Sequence, residues 1–180
     1  MNIIQQTTEA LLHVNEAQLA HTLTVLNRVA SDPKARVFSI GNGGGYSHAS
    51  HFAADLRKIA HISALSFDSI GEMTARINDD TWELAWSDWM ESNSFGHHDV
   101  LFVFSVGGGG EVSKNLCGAI DYAMGSWTET LDAAEILGIV GSKGGYLQMS
   151  GHPIIIPSTS TPVIEGAQAV IAHYLVDALQ

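Results

Sequence analysis

The chain is expected to fold as one α/β domain, a three-layer sandwich with a parallel sheet between two layers of helices. Three observations carry this. After an opening helical stretch, strand-like and helix-like segments alternate, the order that builds a parallel sheet through helical crossovers. Residues 100–106 (VLFVFSV) are nearly all apolar, as a strand covered on both faces should be. Two strand-like segments also run into glycine turns that lead into helices, Gly41-Asn42-Gly43-Gly44-Gly45 and 107–110. In such a unit the helix N-terminus collects an anion.

The elements follow in order. Leu11, Leu12, Leu19, Leu23, Leu26 and Val29 recur at helical spacing, which predicts one long helix over 1–30, ended by Ser31, Asp32 and Pro33. Strands are expected at 36–40, 62–67, 100–106, 135–140 and 153–156. Helices are expected at 47–60, 74–78, 82–92, 113–124 and 164–179. Trp82, Trp86 and Trp89 share a face and read as core or subunit interface. Cys117 reads as a buried apolar residue of its helix. His97-His98-Asp99 reads as an exposed turn, and His61 as a helix C-terminal residue, where a cation suits the dipole. No linker or low-complexity tract divides the chain.

Composition narrows the function. The 180 residues are 46% hydrophobic, enough for a packed interior, and 8 basic against 19 acidic side chains give a formal charge of -11. That balance argues against a nucleic-acid surface or an anionic membrane, which need clustered Lys and Arg. A small anionic substrate remains open to it, because backbone amides bind phosphate without side-chain cations. With Cys117 the single cysteine, neither an intrachain disulfide nor a cysteine-based metal cluster is available. No stretch approaches the roughly 18 apolar residues of a membrane span. No basic region followed by an apolar run opens the chain, so a cytoplasmic location is expected.

Two pairs of side chains have the spacing for chemistry. His51 and Asp55 stand four apart on the helix after the first glycine turn, so they face the same way. Glu165 and His173 stand eight apart on the last helix, on one face but separated by about 12 Å along the axis. If the pairs meet, they form an N2O2 set suited to zinc or another divalent first-row ion. Separate surface or capping roles are the alternative that spacing leaves open.

With these residues in view, the chain resembles the sugar isomerase (SIS) domain family, and within it the phosphoheptose isomerases. The resemblance covers nearly the whole chain and is anchored at 41–56, GNGGGYSHASHFAADL, which is similar to the family's glycine turn and following helix. Asn78-Asp79 resembles the family's Asn-Asp pair, and Ile156-Pro157-Ser158 with Thr161 its approach to the last helix. The resemblance implies a flavodoxin-like SIS domain over 1–180, with 1–30 as an oligomerisation helix and 34–180 as the α/β core. It implies a homotetramer whose site lies near a subunit interface. It implies an aldose-ketose isomerase of a phosphorylated sugar, sedoheptulose 7-phosphate to a heptose 7-phosphate, working by metal-assisted proton transfer through an enediol. His51, Asp55, Glu165 and His173 take the places of the family's ligands to a divalent metal, zinc. Asp55 and His173 take those of its acid-base groups, with Glu165 as a substitute base. Asn42, Gly43, Gly44, Gly45, Ser47, Asn78, Asp79, Ser105 and Ser113 are the implied substrate contacts.

The departures from the family pattern are specific. Asp55 is one methylene shorter than the family's glutamate, Glu165 replaces a glutamine, and Gly45 replaces a serine used against phosphate. The second glycine loop matches the family's serine-rich loop when three residues are inserted between Ser105 and Ser113. A gap-free alignment instead aims Glu111 at the anion. These changes keep a second reading open: a non-catalytic SIS regulator or sensor acting through protein contacts, like the relative that assists a bacterial replication initiator.

Overall fold

The computed structural model describes residues 1–125 and 135–180. Strands β1 (Val37–Gly41), β2 (Ala64–Ser66), β3 (Val100–Phe104), β4 (Ile136–Gly141) and β5 (His152–Ile156) form an all-parallel sheet in the order β2-β1-β3-β4-β5. The helices are α1 (Ile3–Leu12), α2 (Glu16–Ser31), α3 (Gly44–Lys58), α4 (Ile70–Asp79), α5 (Ala85–Ser92), α6 (Lys114–Gly125), α7 (Gly145–Ser150) and α8 (Thr161–Asp177). A 3-10 turn, Trp82–Leu84, leads into α5. Among the described residues no helix is long and apolar enough to cross a membrane.

Strand periodicity sorts the core into two layers. Along β3 all five residues are buried: Val100, Phe102 and Phe104 point to the layer of α1, α2, α3 and α8, while Leu101 and Val103 point to that of α5, α6 and α7. The order of strand addition reverses at β1: β2 is laid down on one side of it, and β3, β4 and β5 on the other. The loops following β1 and β3 therefore leave toward opposite layers and open a crevice at the carboxyl edge, where sheets of this order bind ligands.

Four expectations change. The predicted long first helix is two helices, because Asn15 caps α2 by accepting a hydrogen bond from the Ala17 amide at 2.8 Å. The sequence reading has no counterpart for α7, a six-residue helix entered through Gly144 and Gly145, both at positive φ, with Leu147 as its buried residue. Trp86 and Trp89 keep to the expectation as core residues, and Trp82, 37% exposed, stays with the interface half of that reading. Cys117 is only partly buried.

The turn at 97–99 is the fourth. His97 and His98 are exposed, but Asp99 is buried and receives both forks of Arg36, Nε at 3.0 Å and Nη2 at 2.8 Å, with the Gly96 amide at 2.9 Å. Arg36 also donates to the carbonyls of Asn93 and Ser94. The pair thereby ties the entries of β1 and β3 to the end of α5. Replacing Asp99 with Ala leaves a partly buried guanidinium without its counter-ion. Because Arg36 still reaches water, the expected loss is about 2–4 kcal/mol, at or below the cost of stranding an interior charge. Urea unfolding of the variant measures it, and a loss under about 0.5 kcal/mol contradicts the assignment.

Candidate functional site

The first glycine turn is shaped by backbone contact. Gly43, with φ +55, occupies the position before α3. Gly45 packs so closely on the end of β3 that a Cβ there falls 2.5 Å from the Phe104 carbonyl oxygen. No side chain fits at Gly45 without moving β3, which accounts for a glycine where the resemblance leads one to expect serine. The first amides of α3 lack intrahelical acceptors and face the crevice mouth, with Ser47 exposed beside them. The Asn42 side chain is directed inward. It exchanges two hydrogen bonds of 2.9 Å with the fully buried Asn115 of α6 and accepts a third from Trp86 Nε1 at 3.2 Å.

The second glycine loop is held by its own backbone. The Ser105 hydroxyl, almost fully buried, accepts a hydrogen bond from the Gly108 amide at 3.0 Å, and its carbonyl accepts one from Gln168 Nε2 at 3.1 Å. Gly108, Gly109 and Gly110 all have positive φ. Gly108 lies against the Gly144 backbone and accepts from the Leu147 amide at 2.8 Å, so the loops after β3 and β4 close on each other. Ser113 stands directly before α6, and its carbonyl receives the amides of Leu116 and Cys117. Glu111 points into solvent, 3.9 Å from Lys114.

The two His-carboxylate pairs meet in part. Asp55 Oδ2 lies 3.3 Å from His51 Nε2 and 3.5 Å from His173 Nδ1. The Asp55 side chain is 14% exposed between two imidazoles that reach solvent, and the three donor atoms lie within 4.8 Å of one another. Glu165 is not in this group. Its carboxylate sits against Gly44, where a Cβ would collide with it, and beside His48. The spacing of eight thus puts His173 and Glu165 at two stations along the groove between α3 and α8. His48, which sequence reasoning passed over, belongs to the Glu165 station; its offset of three from His51 was the available signal. Burial pushes the His48 imidazole below its ordinary pKa, opposed by the Glu165 carboxylate. Asn78 donates to Asp79 at 2.8 Å at the exposed end of α4.

Two imidazoles and a carboxylate from two helices fit a divalent first-row ion. The carboxyl-edge amides fit an anion.

No family model matches the chain. It is 31% identical to a phosphoheptose isomerase of Helicobacter pylori over 154 residues, 82% of the chain and 75% of that protein. It is 31% identical to one of Helicobacter hepaticus over 183 residues, 93% and 88%. Among solved structures, a phosphoheptose isomerase from Francisella tularensis superposes with a TM-score of 0.82 at 19% identity, covering 98% of this chain and 91% of that one. One from Neisseria gonorrhoeae gives 0.79 at 22%, covering 99% and 93%. At these identities the structural matches establish the fold.

The Gly45 contact yields a prediction. Gly45→Ser, which restores the hydroxyl that the resemblance calls for, is expected to destabilise the protein by about 1–3 kcal/mol, the cost of forcing atoms into a filled site. Chemical denaturation checks this. A variant as stable as the parent shows that the β3 edge yields readily.

Proposed function

Since the chain belongs to the phosphoheptose isomerase family, we propose that it interconverts sedoheptulose 7-phosphate and an aldoheptose 7-phosphate. The observation that supports this reading best is the meeting of His51, Asp55 and His173 in a groove that runs to the first glycine turn.

The reaction moves a proton between C1 and C2 while the carbonyl oxygen gains one and the neighbouring hydroxyl loses one. Asp55 takes the carbon-bound proton at Oδ1, since both imidazoles approach Oδ2. The C–H electron pair becomes the enediol double bond, and His173 protonates the carbonyl oxygen. Asp55 then returns its proton at the other carbon as His173 takes up the proton of the second hydroxyl, which restores both groups. Glu165 is the second carboxylate within the groove and takes the base role if Asp55 is too short. His51, Asp55 and His173 hold a divalent ion, zinc in this proposal, which when bound supplies Lewis acidity toward the sugar's carbonyl. The phosphate lies at the first-turn amides of α3, with Ser47 and the loop of Ser105 and Ser113 nearby; Asn78 and Asp79 contact the sugar from α4. Asn42 acts by holding the turn to α6.

A homotetramer is part of the proposal. Ile3, Ile4 and Leu12 on α1, and Ile70 and Ile77 on α4, leave apolar side chains uncovered. Light scattering is expected to return four times the 19.2 kDa of the chain; a monomer mass at micromolar concentration contradicts it.

Turnover of sedoheptulose 7-phosphate followed by NMR, beside metal content by mass spectrometry, tests the site. Asp55→Asn is expected to lower turnover about 10²–10⁴-fold, the usual worth of a positioned base, while an amide oxygen still serves the ion. His51→Ala and His173→Ala should lower both metal content and turnover. Asp55→Asn combined with His173→Ala should cost much less than the two separate losses together. Normal turnover in Asp55→Asn with loss in Glu165→Gln transfers the base role to Glu165. A parent protein that holds no metal and turns over no heptose phosphate favours the regulator reading.

A further inference from the structure

At the amino edge of the sheet, the end opposite the glycine turns, three side chains meet that the proposed reaction does not use. His21 lies on α2, Glu135 immediately precedes β4, and His152 is the first residue of β5. Glu135 Oε2 lies 3.7 Å from His21 Nε2 and 3.9 Å from His152 Nε2. The two rings are 4.8 Å apart edge to face, and all three donor atoms fall within 4.8 Å of one another.

The sheet register makes this meeting a consequence of the fold. His152 pairs with Leu137, whose side chain points into the α2 layer. Glu135 is two residues before Leu137, so the pleat turns Glu135 to the same side. A crevice of about 260 Å³ opens beside the cluster between α2 and the start of β5, with Gln18 and Gln148 in its wall.

His21 Nε2 carries the argument. The atom is shielded from solvent and makes no hydrogen bond, and the 3.7 Å to Glu135 exceeds hydrogen-bond reach. A buried polar atom without a partner is costly. One carboxylate can balance only one imidazolium, so protonating both rings leaves a surplus charge. A divalent ion satisfies all three donors while both rings stay neutral.

We propose that His21, Glu135 and His152 form a second metal site, specific for zinc or a similar first-row divalent ion. The ligands are His21 Nε2, Glu135 Oε2 and His152 Nε2, and the crevice offers the fourth position to water or a small anion. Tetrahedral bonds of about 2.1 Å put donors about 3.4 Å apart, so the two carboxylate contacts need to shorten by only a few tenths of an ångström. The exposed His152 ring can turn to do so. An ion there pins α2 to the bases of β4 and β5, far from the α3–α8 groove.

The test uses the full-length, tag-free, metal-stripped protein carrying His51→Gln and His173→Gln, so that the groove between α3 and α8 contributes no imidazole. Zinc is titrated by calorimetry, and bound zinc is measured by mass spectrometry after gel filtration. One equivalent is expected to remain bound. Adding His152→Gln should weaken binding by more than about 100-fold, beyond what losing an outer-shell partner costs. His21→Gln should do the same. Zinc should raise the melting temperature of the parent and not of either variant, each of which is compared with its own zinc-free melt. No zinc retained in the His51→Gln/His173→Gln protein overturns the proposal, as does an equivalent that survives His152→Gln and His21→Gln. Neither result bears on the proposed isomerase reaction.

Discussion

The structure turns on the contact between the first turn of α3 and the end of β3. Gly41, Gly45 and the Phe104 carbonyl are so close that no Cβ can intervene. That contact seats the helix against the sheet and sets its rotation. With Ala49, Phe52, Ala53 and Leu56 turned to the core, Gly44, His48, His51 and Asp55 fall at steps of four, three and four along the flank. α8 lies along that flank, and both helices return from parallel strands, so they run in the same direction. Glu165 therefore meets the upper station and His173 the lower. The Asn42–Asn115 exchange locks the same turn to α6 on the opposite layer, so a shift in either layer is felt at the site.

What the sequence disclosed follows from the range of the forces involved. The β3 segment was legible because burial on both faces leaves no polar residue among its five, and the stripe of His51 and Asp55 because helix spacing is local. The break at 13–15 rests on the side chain of Asn15, which competes with the hydrophobic repeat of Leu11, Leu12 and Leu19. Helix α7 is too short for periodicity to register. Asp99 looked like a turn residue because its partner Arg36 is sixty-three positions away. The His21, Glu135 and His152 cluster joins three elements through sheet register, which no spacing rule along the chain conveys. The spacing of eight between Glu165 and His173 did signal their separation of about 12 Å along the axis, but not which residues of α3 each would meet.

The anion end shows how one substitution conditions another. With Gly45 fixed by backbone contact, no hydroxyl is available there. The Ser105 hydroxyl accepts from its own loop at Gly108, which stiffens a stretch of three glycines at positive φ. These loops keep their shape through backbone hydrogen bonds, leaving the helix amides as the main donors. Glu111 in solvent removes the repulsion that a gap-free alignment implies.

Glu165 introduces a different electrostatic constraint. It brings a negative charge beside the turn at which the proposed reading binds phosphate. Two unit charges about 6 Å apart at an effective dielectric constant near 20 repel by about 3 kcal/mol, a factor of more than 100 in affinity. The neighbouring imidazole does not relieve this, because burial holds His48 toward its neutral form. Relief has to come from the helix N-terminus, whose positive pole faces the same point, and from positive charge lower in the groove. A site with Asp55 and Glu165 in one stripe of an acidic chain therefore depends more strongly on a bound cation than one with a single carboxylate. Under the proposed function, the exchange of an amide for Glu165 couples sugar phosphate affinity to metal occupancy, even though Glu165 is not among the three donors that meet.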